Sequence, residues 1–181
     1  MTKTKAWEKA LVEGLDRFAG QEARERVLSG MGDLPSSSEA VDWVREVMAR
    51  MDQGLDPATR AAVLELCGQT CLGTERIARA RGVGQQFTDL AALLTSLNER
   101  HIGGGKLRLD RDVVYAVYDR CYCPRISQST ARISPTYCHC SRGWLGALFG
   151  ALLGRAVEVE LVSSILAGNP VCELAIRPSA G

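Results

Sequence analysis

From Arg120 to Val157 the chain has no aspartate, glutamate or lysine. Five arginines stand in the same stretch: Arg120, Arg125, Arg132, Arg142 and Arg155. Whatever this region faces, no carboxylate of its own balances it. Other absences bound the whole chain of 181 residues. No apolar run approaches the roughly 20 residues that a helical membrane span needs. The basic N-terminus, MTKTKAWEKALVEGLDRF, has no continuous apolar core and no small-residue cleavage site, so no signal peptide is read and a cytoplasmic location is expected. A net charge of +1 lacks the broad basic field of a nucleic-acid or membrane-surface binder. There is no internal repeat and no low-complexity segment.

What is present is an ordinary globular composition, 46% hydrophobic and 24% charged, enough for one domain with a full core. Seven cysteines are an odd count that suits a disulfide framework poorly. In a reducing compartment, clustered cysteines point instead to metal or redox chemistry.

The first hundred residues read as helices. Trp7, Leu11, Leu15 and Phe18 form one apolar stripe at helical spacing, ended by Gly20. Gln21 to Leu28 continues as a short helix, and Gly30 to Ser38 is a loop. Ser36 with Glu39 makes a capping-box pattern before a helix through Val41, Val44, Val47, Met48 and Met51. Asp56-Pro57 starts the next helix, which carries Cys67 and Cys71 on one face. Gly73-Thr74 opens another, to about Arg81, and Thr88 caps one through Leu97.

At His101 to Gly105 the pattern breaks, and the period then changes from helical to two. Lys106 to Leu109 and Val113 to Tyr118 read as a hairpin; Ser141 to Leu153 as a helix; Val157 to Val162 and Val171 to Ile176 as a second hairpin around Gly168-Asn169-Pro170. The expected fold is therefore α+β in one domain over 1–181. A helical part, 1–100, packs with an antiparallel sheet whose two hairpins, within 106–178, are separated by a helix.

The chemistry concentrates in two Cys-x-Cys pairs, Cys121 with Cys123 and Cys138 with Cys140, the second enclosing His139. In an extended segment residues two apart point the same way, so each pair could present two thiolates to one zinc. The one-residue gap departs from the usual structural zinc spacing, and an iron–sulfur cluster ranks below zinc for the same reason. A second reading makes Cys140 a nucleophile, because a thiol at the start of the Ser141 helix would be favoured as an anion; adjacent His139 diverges and makes a poor base. The plain alternative is packing, since free cysteine behaves as a small hydrophobe. It applies best to Cys67, Cys71 and Cys172, while His101 reads as a solvated loop residue. Arg125 and Arg142 suit capture of a carboxylate or phosphate, and Trp144, on the apolar helix beside them, could wall a pocket.

The runs Cys140-Ser141-Arg142-Gly143-Trp144, Leu148-Phe149-Gly150, Val157-Glu158-Val159-Glu160 and Gly168 to Ile176 together resemble the four-vinyl-reductase type of small-molecule-binding domain, whose fold is related to TRAPP subunits. The resemblance spans Tyr137 to Arg177. Cys67, the Cys121–Pro124 run and the glycine run also resemble relatives of L-2-amino-thiazoline-4-carboxylate hydrolase. The first resemblance implies an α+β homodimer with a pocket between helices and sheet. It also implies zinc held by cysteines at three points, which fall near Cys138 or Cys140, at Ser164 and at Cys172; the middle one is a serine here. The combined expectation is a binding domain for a small, anionic ligand, acting as sensor, carrier or subunit. Arg125, Arg142 and Trp144 would hold the ligand, and Cys121, Cys123, Cys138, Cys140 and Cys172 a zinc. The alternative is a hydrolase of a small sulfur or nitrogen heterocycle using Cys140 or a metal-bound water.

Overall fold

A computed structural model describes residues 3–35, 39–127 and 132–179. The chain begins with six helices: α1 (Lys3–Phe18), α2 (Gln21–Leu28), α3 (Ala40–Gly54), α4 (Pro57–Leu72), α5 (Thr74–Gly84) and α6 (Leu90–Glu99). A 3-10 turn at Ile102–Gly105 leads to the strands β1 (Leu107–Asp110) and β2 (Val113–Tyr118). After a loop, a 3-10 turn at Pro135–Cys138 runs into α7 (His139–Leu153). Then follow β3 (Val157–Ser163), a 3-10 turn at Ile165–Ala167, and β4 (Cys172–Pro178). The fold is α+β, as the sequence predicts.

Local chemistry explains most boundaries. Gly20 takes a left-handed φ of 87° and separates α1 from α2. Asp56 caps α4, its Oδ1 accepting from the backbone N–H of Ala58 and of Thr59, each at 3.0 Å. The cap of α6 is Asp89, which accepts from Ala92 N at 2.9 Å, one residue beyond the Thr88 expected from sequence. The Ser36–Glu39 capping box falls partly outside the described residues.

The four strands form one antiparallel sheet in the order β1-β2-β4-β3. The two hairpins therefore join through β2 and β4, with Tyr118 opposite Cys172. β3 presents Glu158 and Glu160 to solvent and tucks Val159 against α7. Two apolar clusters result. One lies among α1, α3 and α4 around Trp7, Leu11, Met48 and Leu64. The other lies between the sheet and α5, α6 and α7 around Leu97, Phe149, Leu174 and Ile176.

α4 and α7 belong to both clusters, and glycines let them approach. A Cβ at Gly68 would overlap the Cys140 carbonyl oxygen, and one at Gly143 the Glu65 carbonyl oxygen. Likewise Gly84 sets α5 against the Leu152 carbonyl at the end of α7. Backbones this close leave no space for a side chain, and α7 is held in a fixed position between helices and sheet. Among the described residues, no helix is long and apolar enough to cross a membrane.

Candidate functional site

The start of β4 lies beside the end of β2, because these strands are antiparallel neighbours. That places Cys172, the first residue of β4, next to the segment carrying Cys121 and Cys123. The 3-10 turn before β4 supplies Ser164, and the turn before α7 supplies Cys138. A cavity of about 1090 Å³ opens at this junction. It lies at the upper end of the range for small-molecule sites, roughly 300–1,000 Å³.

Its apolar wall comes from Leu72, Leu97, Leu148, Leu152, Ile102 and Trp144. Five arginines also line it, Arg76, Arg79, Arg100, Arg120 and Arg125, and among the described residues no aspartate or glutamate does. Not all five are equally available. Arg76 donates from Nε to Leu72 O at 2.6 Å and from Nη2 to Cys71 O at 2.7 Å, so it caps the C-terminal carbonyls of α4. Arg79 pairs with Glu75 one turn back. Arg125 is more deeply set, its guanidinium 5.1 Å over the Trp7 ring and its Nη1 3.8 Å from Cys71 Sγ. Arg100 and Arg120 have no carboxylate partner among the described residues and are exposed at the rim.

Six of the seven thiols line the same cavity: Cys71, Cys121, Cys123, Cys138, Cys140 and Cys172. All seven are free. They fall into two groups for a geometric reason. Cys138 and Cys140 do not lie on extended chain as expected; they sit in a helical turn, where residues two apart face different sides. Cys138 Sγ lies 2.9 Å from Ser164 Oγ, at the turn whose next residue, Ile165, donates to Cys172. Cys140 instead packs against the apolar cluster around Trp7. The first pair splits likewise. Cys121 interacts with Cys138 and Cys172, whereas Cys123 Sγ lies 3.1 Å from the Tyr137 hydroxyl.

The zinc expected from these five thiols therefore does not fit. Among the described residues no group of three or more His, Cys, Asp or Glu is arranged to hold a metal ion. Ser164, a neutral hydroxyl, stands where the resemblance requires a third thiolate. It is engaged there by Cys138 and by Leu166 N, which donates to its Oγ at 3.1 Å. An iron–sulfur cluster would need the same convergence of thiolates and fails on the same geometry.

The ligand-binding expectation divides. Arg125 and Trp144 line the cavity. Arg142 does not. Its Nη1 lies 3.1 Å from Glu65 Oε1 and its Nε donates to Val159 O at 2.8 Å, so it ties α7 to α4 and to β3. The same guanidinium stands 3.1 Å from His139 Nδ1, and burial together with Arg142 pushes His139 below the usual histidine range. His139 is thus a neutral acceptor in a structural bridge.

The nucleophile expectation moves to another residue. Burial pushes the Cys140 thiol up to about 12, which removes the anion that reaction would need. Cys172 moves the other way, down to about 6, because of the neighbouring Cys138 thiol and because Ile165 N donates to its sulfur at 3.3 Å. Its partner Cys138 is raised, chiefly by Cys172.

Cys71, Arg76, Arg79, Arg100 and Arg120 were not singled out from sequence as cavity residues. Arg76 and Arg79, three apart on α5, carried a helical-face signal. Arg100 and His101 carried none, because the left-handed turn that aims this corner, His101 at φ 53°, is visible only in the fold. His101 lines the cavity at its exposed edge.

No curated protein matches the chain. Among solved structures, an H-NOX protein from S. oneidensis, in its Fe(II)NO ligation state, aligns over 99% of this chain and 100% of its own, with 15% identity and a TM-score of 0.47. At that level neither ligand nor mechanism transfers. A family model matches residues 1–181 in full, and the chain belongs to that family, DUF6144, a family of unknown function.

Proposed function

We propose that the protein binds a small organic anion with an apolar body, as a sensor, carrier or subunit. One observation carries this reading. Among the described residues, the cavity of about 1090 Å³ combines an apolar wall with five arginines and no aspartate or glutamate. An anion entering it loses water but meets guanidinium groups, which bind carboxylate, sulfonate or phosphate in their planar fork. The apolar body contributes by area removed from water. Arg100 and Arg120 meet the anion at the rim, Arg125 lies deeper, and Trp144 offers a flat face to the body. A homodimer is kept within this proposal, and light scattering tests it.

Anilinonaphthalene sulfonate is a suitable probe, since it is an anion with an aromatic body; phenylnaphthylamine is its neutral counterpart. The sulfonate should bind with enhanced fluorescence and compete with anionic ligands. Arg100→Glu combined with Arg120→Glu should weaken the sulfonate about tenfold, corresponding to about 1.4 kcal/mol, and leave the neutral dye unchanged. Equal affinity for both dyes in both proteins would sink the proposal.

A further inference from the structure

Anion capture uses the arginines and leaves the thiols without a task. Two of those thiols are arranged differently from the rest. Cys138 and Cys172 come from segments 34 residues apart and meet at the Ser164–Ile165 turn, near enough for each to shift the other's titration. Both reach the cavity. Cys138 is buried, at 7% exposure, while Cys172 is half-buried. The turn between β3 and β4 fixes them from the far side. Ser164 Oγ lies 2.9 Å from Cys138, and Ile165 N donates to the Cys172 sulfur at 3.3 Å. One sulfur thus faces an entrant and the other stands behind it, held close by the turn.

We propose that Cys138 and Cys172 are a redox-active dithiol that closes to a disulfide by exchange with a small disulfide entering through the cavity. Cys172 attacks one sulfur of the entrant. A bond forms between Cys172 and that sulfur, the entrant's own S–S bond breaks, and one half leaves as a thiolate. The Cys138 proton passes to the departing thiolate. The Cys138 sulfur then attacks Cys172, the mixed disulfide breaks, and the second half leaves and takes a proton from water. Two protein thiols and one small disulfide become one protein disulfide and two small thiols. The two electrons come from Cys138 and Cys172.

Direction of attack follows from the surroundings. Cys138 beside it and the Ile165 N–H donating to its sulfur lower the Cys172 thiol, whereas burial raises Cys67, Cys121 and Cys140. A low pKa also weakens a thiolate as a nucleophile. Combining both effects, Cys172 at pH 6 should react about tenfold faster than an ordinary exposed thiol. The choice of an anionic entrant rests on the anion-binding reading above; the thiol pair does not.

Reduced full-length protein is treated at pH 6 with glutathione disulfide, which is anionic, or with cystamine, which is cationic. The reaction is quenched with acid, and the peptides are mapped by mass spectrometry. Wild-type protein should yield the Cys138–Cys172 cross-linked peptide with either reagent. Cys138→Ser should stop at a glutathione adduct on Cys172, and Cys172→Ser should lose the fast reaction. Glutathione disulfide reacting faster than cystamine supports the anion-binding reading as well. Equal rates uphold the dithiol and count against that reading. The proposal is overturned if wild-type protein joins other cysteines or none. It is also overturned if the first adduct forms elsewhere than Cys172, or if the purified protein carries zinc that is lost in both variants. The wild-type peptide map needs no variant to fold.

Discussion

At the scale of single residues, the site turns on Cys172. Its sulfur accepts from the Ile165 amide, and Cys138 beside it lowers the thiol to about 6. Alkylation by iodoacetamide, followed by peptide mapping, should show Cys172 reacting with a midpoint near pH 6, while Cys140, pushed up to about 12, stays silent below pH 9. The same shift sets a pH dependence of stability. A lowered folded pKa contributes stability above the unfolded value, and this is lost as pH falls through the folded value. Between pH 6.5 and 8 the unfolded Cys172 takes up protons that the folded one does not, so its contribution shrinks as pH falls. The buried, raised thiols oppose this only as pH climbs past the ordinary thiol range, and His139 adds to it only below about pH 6.5. Subtracting the urea midpoints of Cys172→Ser from those of the wild type should leave a difference that grows with pH across that window. A flat difference would mean that Cys172 is not ionised in the folded protein.

At the scale of elements, the α4–α7 crossing carries the architecture. Gly68 and Gly143 face opposing backbone with no space between, so Gly68→Ala or Gly143→Ala forces the helices apart. Each should cost about 3 kcal/mol, read from urea midpoints. Gly82 is the contrast: it lies within α5 with nothing near a would-be Cβ. Gly82→Ala should stabilise by roughly 0.5–1 kcal/mol through helix propensity and a less free unfolded chain. The sequence predicts these elements well where period and punctuation are local. The α1 stripe through Trp7, Leu11 and Leu15, the Asp56-Pro57 start, the change of period after Gly105 and both hairpins are recovered, while Phe18, expected in the stripe, is exposed. The zinc reading of the Cys138–Cys140 pair depends on an extended chain before α7, and the chain there is not extended. Pro135 instead opens a 3-10 turn that runs straight into α7, with Ser134 accepting from Thr136 N at 3.2 Å. That half-turn of difference separates the two thiols and removes the four-thiolate arrangement.

At the scale of the whole molecule, the cavity lies where the two apolar clusters part. A ligand there touches α4, α5, α7, the β2–α7 loop and β4 together. It should therefore stabilise the protein as a unit. At one hundred times its dissociation constant it contributes about 2.7 kcal/mol, roughly 5–10 °C in Tm for a chain of this size. Differential scanning calorimetry with an anionic ligand, repeated at high salt, should show the shift diminish as the rim arginines are screened. The acid-free stretch from Arg120 to Val157 pointed toward this site, but only in part. Arg120 and Arg125 reach it, while Arg142 is spent on Glu65 and Val159 O. The remaining cavity arginines come from α5 and from the residue just after α6, and no spacing in the sequence announces that the chain will bring them to the same place. The pairing of Tyr118 with Cys172 has one more consequence. Side chains alternate along a strand, so a slip of one residue between β2 and β4 would turn Cys172 to the opposite face of the sheet. Its acidity is then a register gauge. A chain whose β4 has not yet docked, or has docked out of step, offers Cys172 only as an ordinary thiol, and its low-pH reactivity reports that β4 is correctly in place.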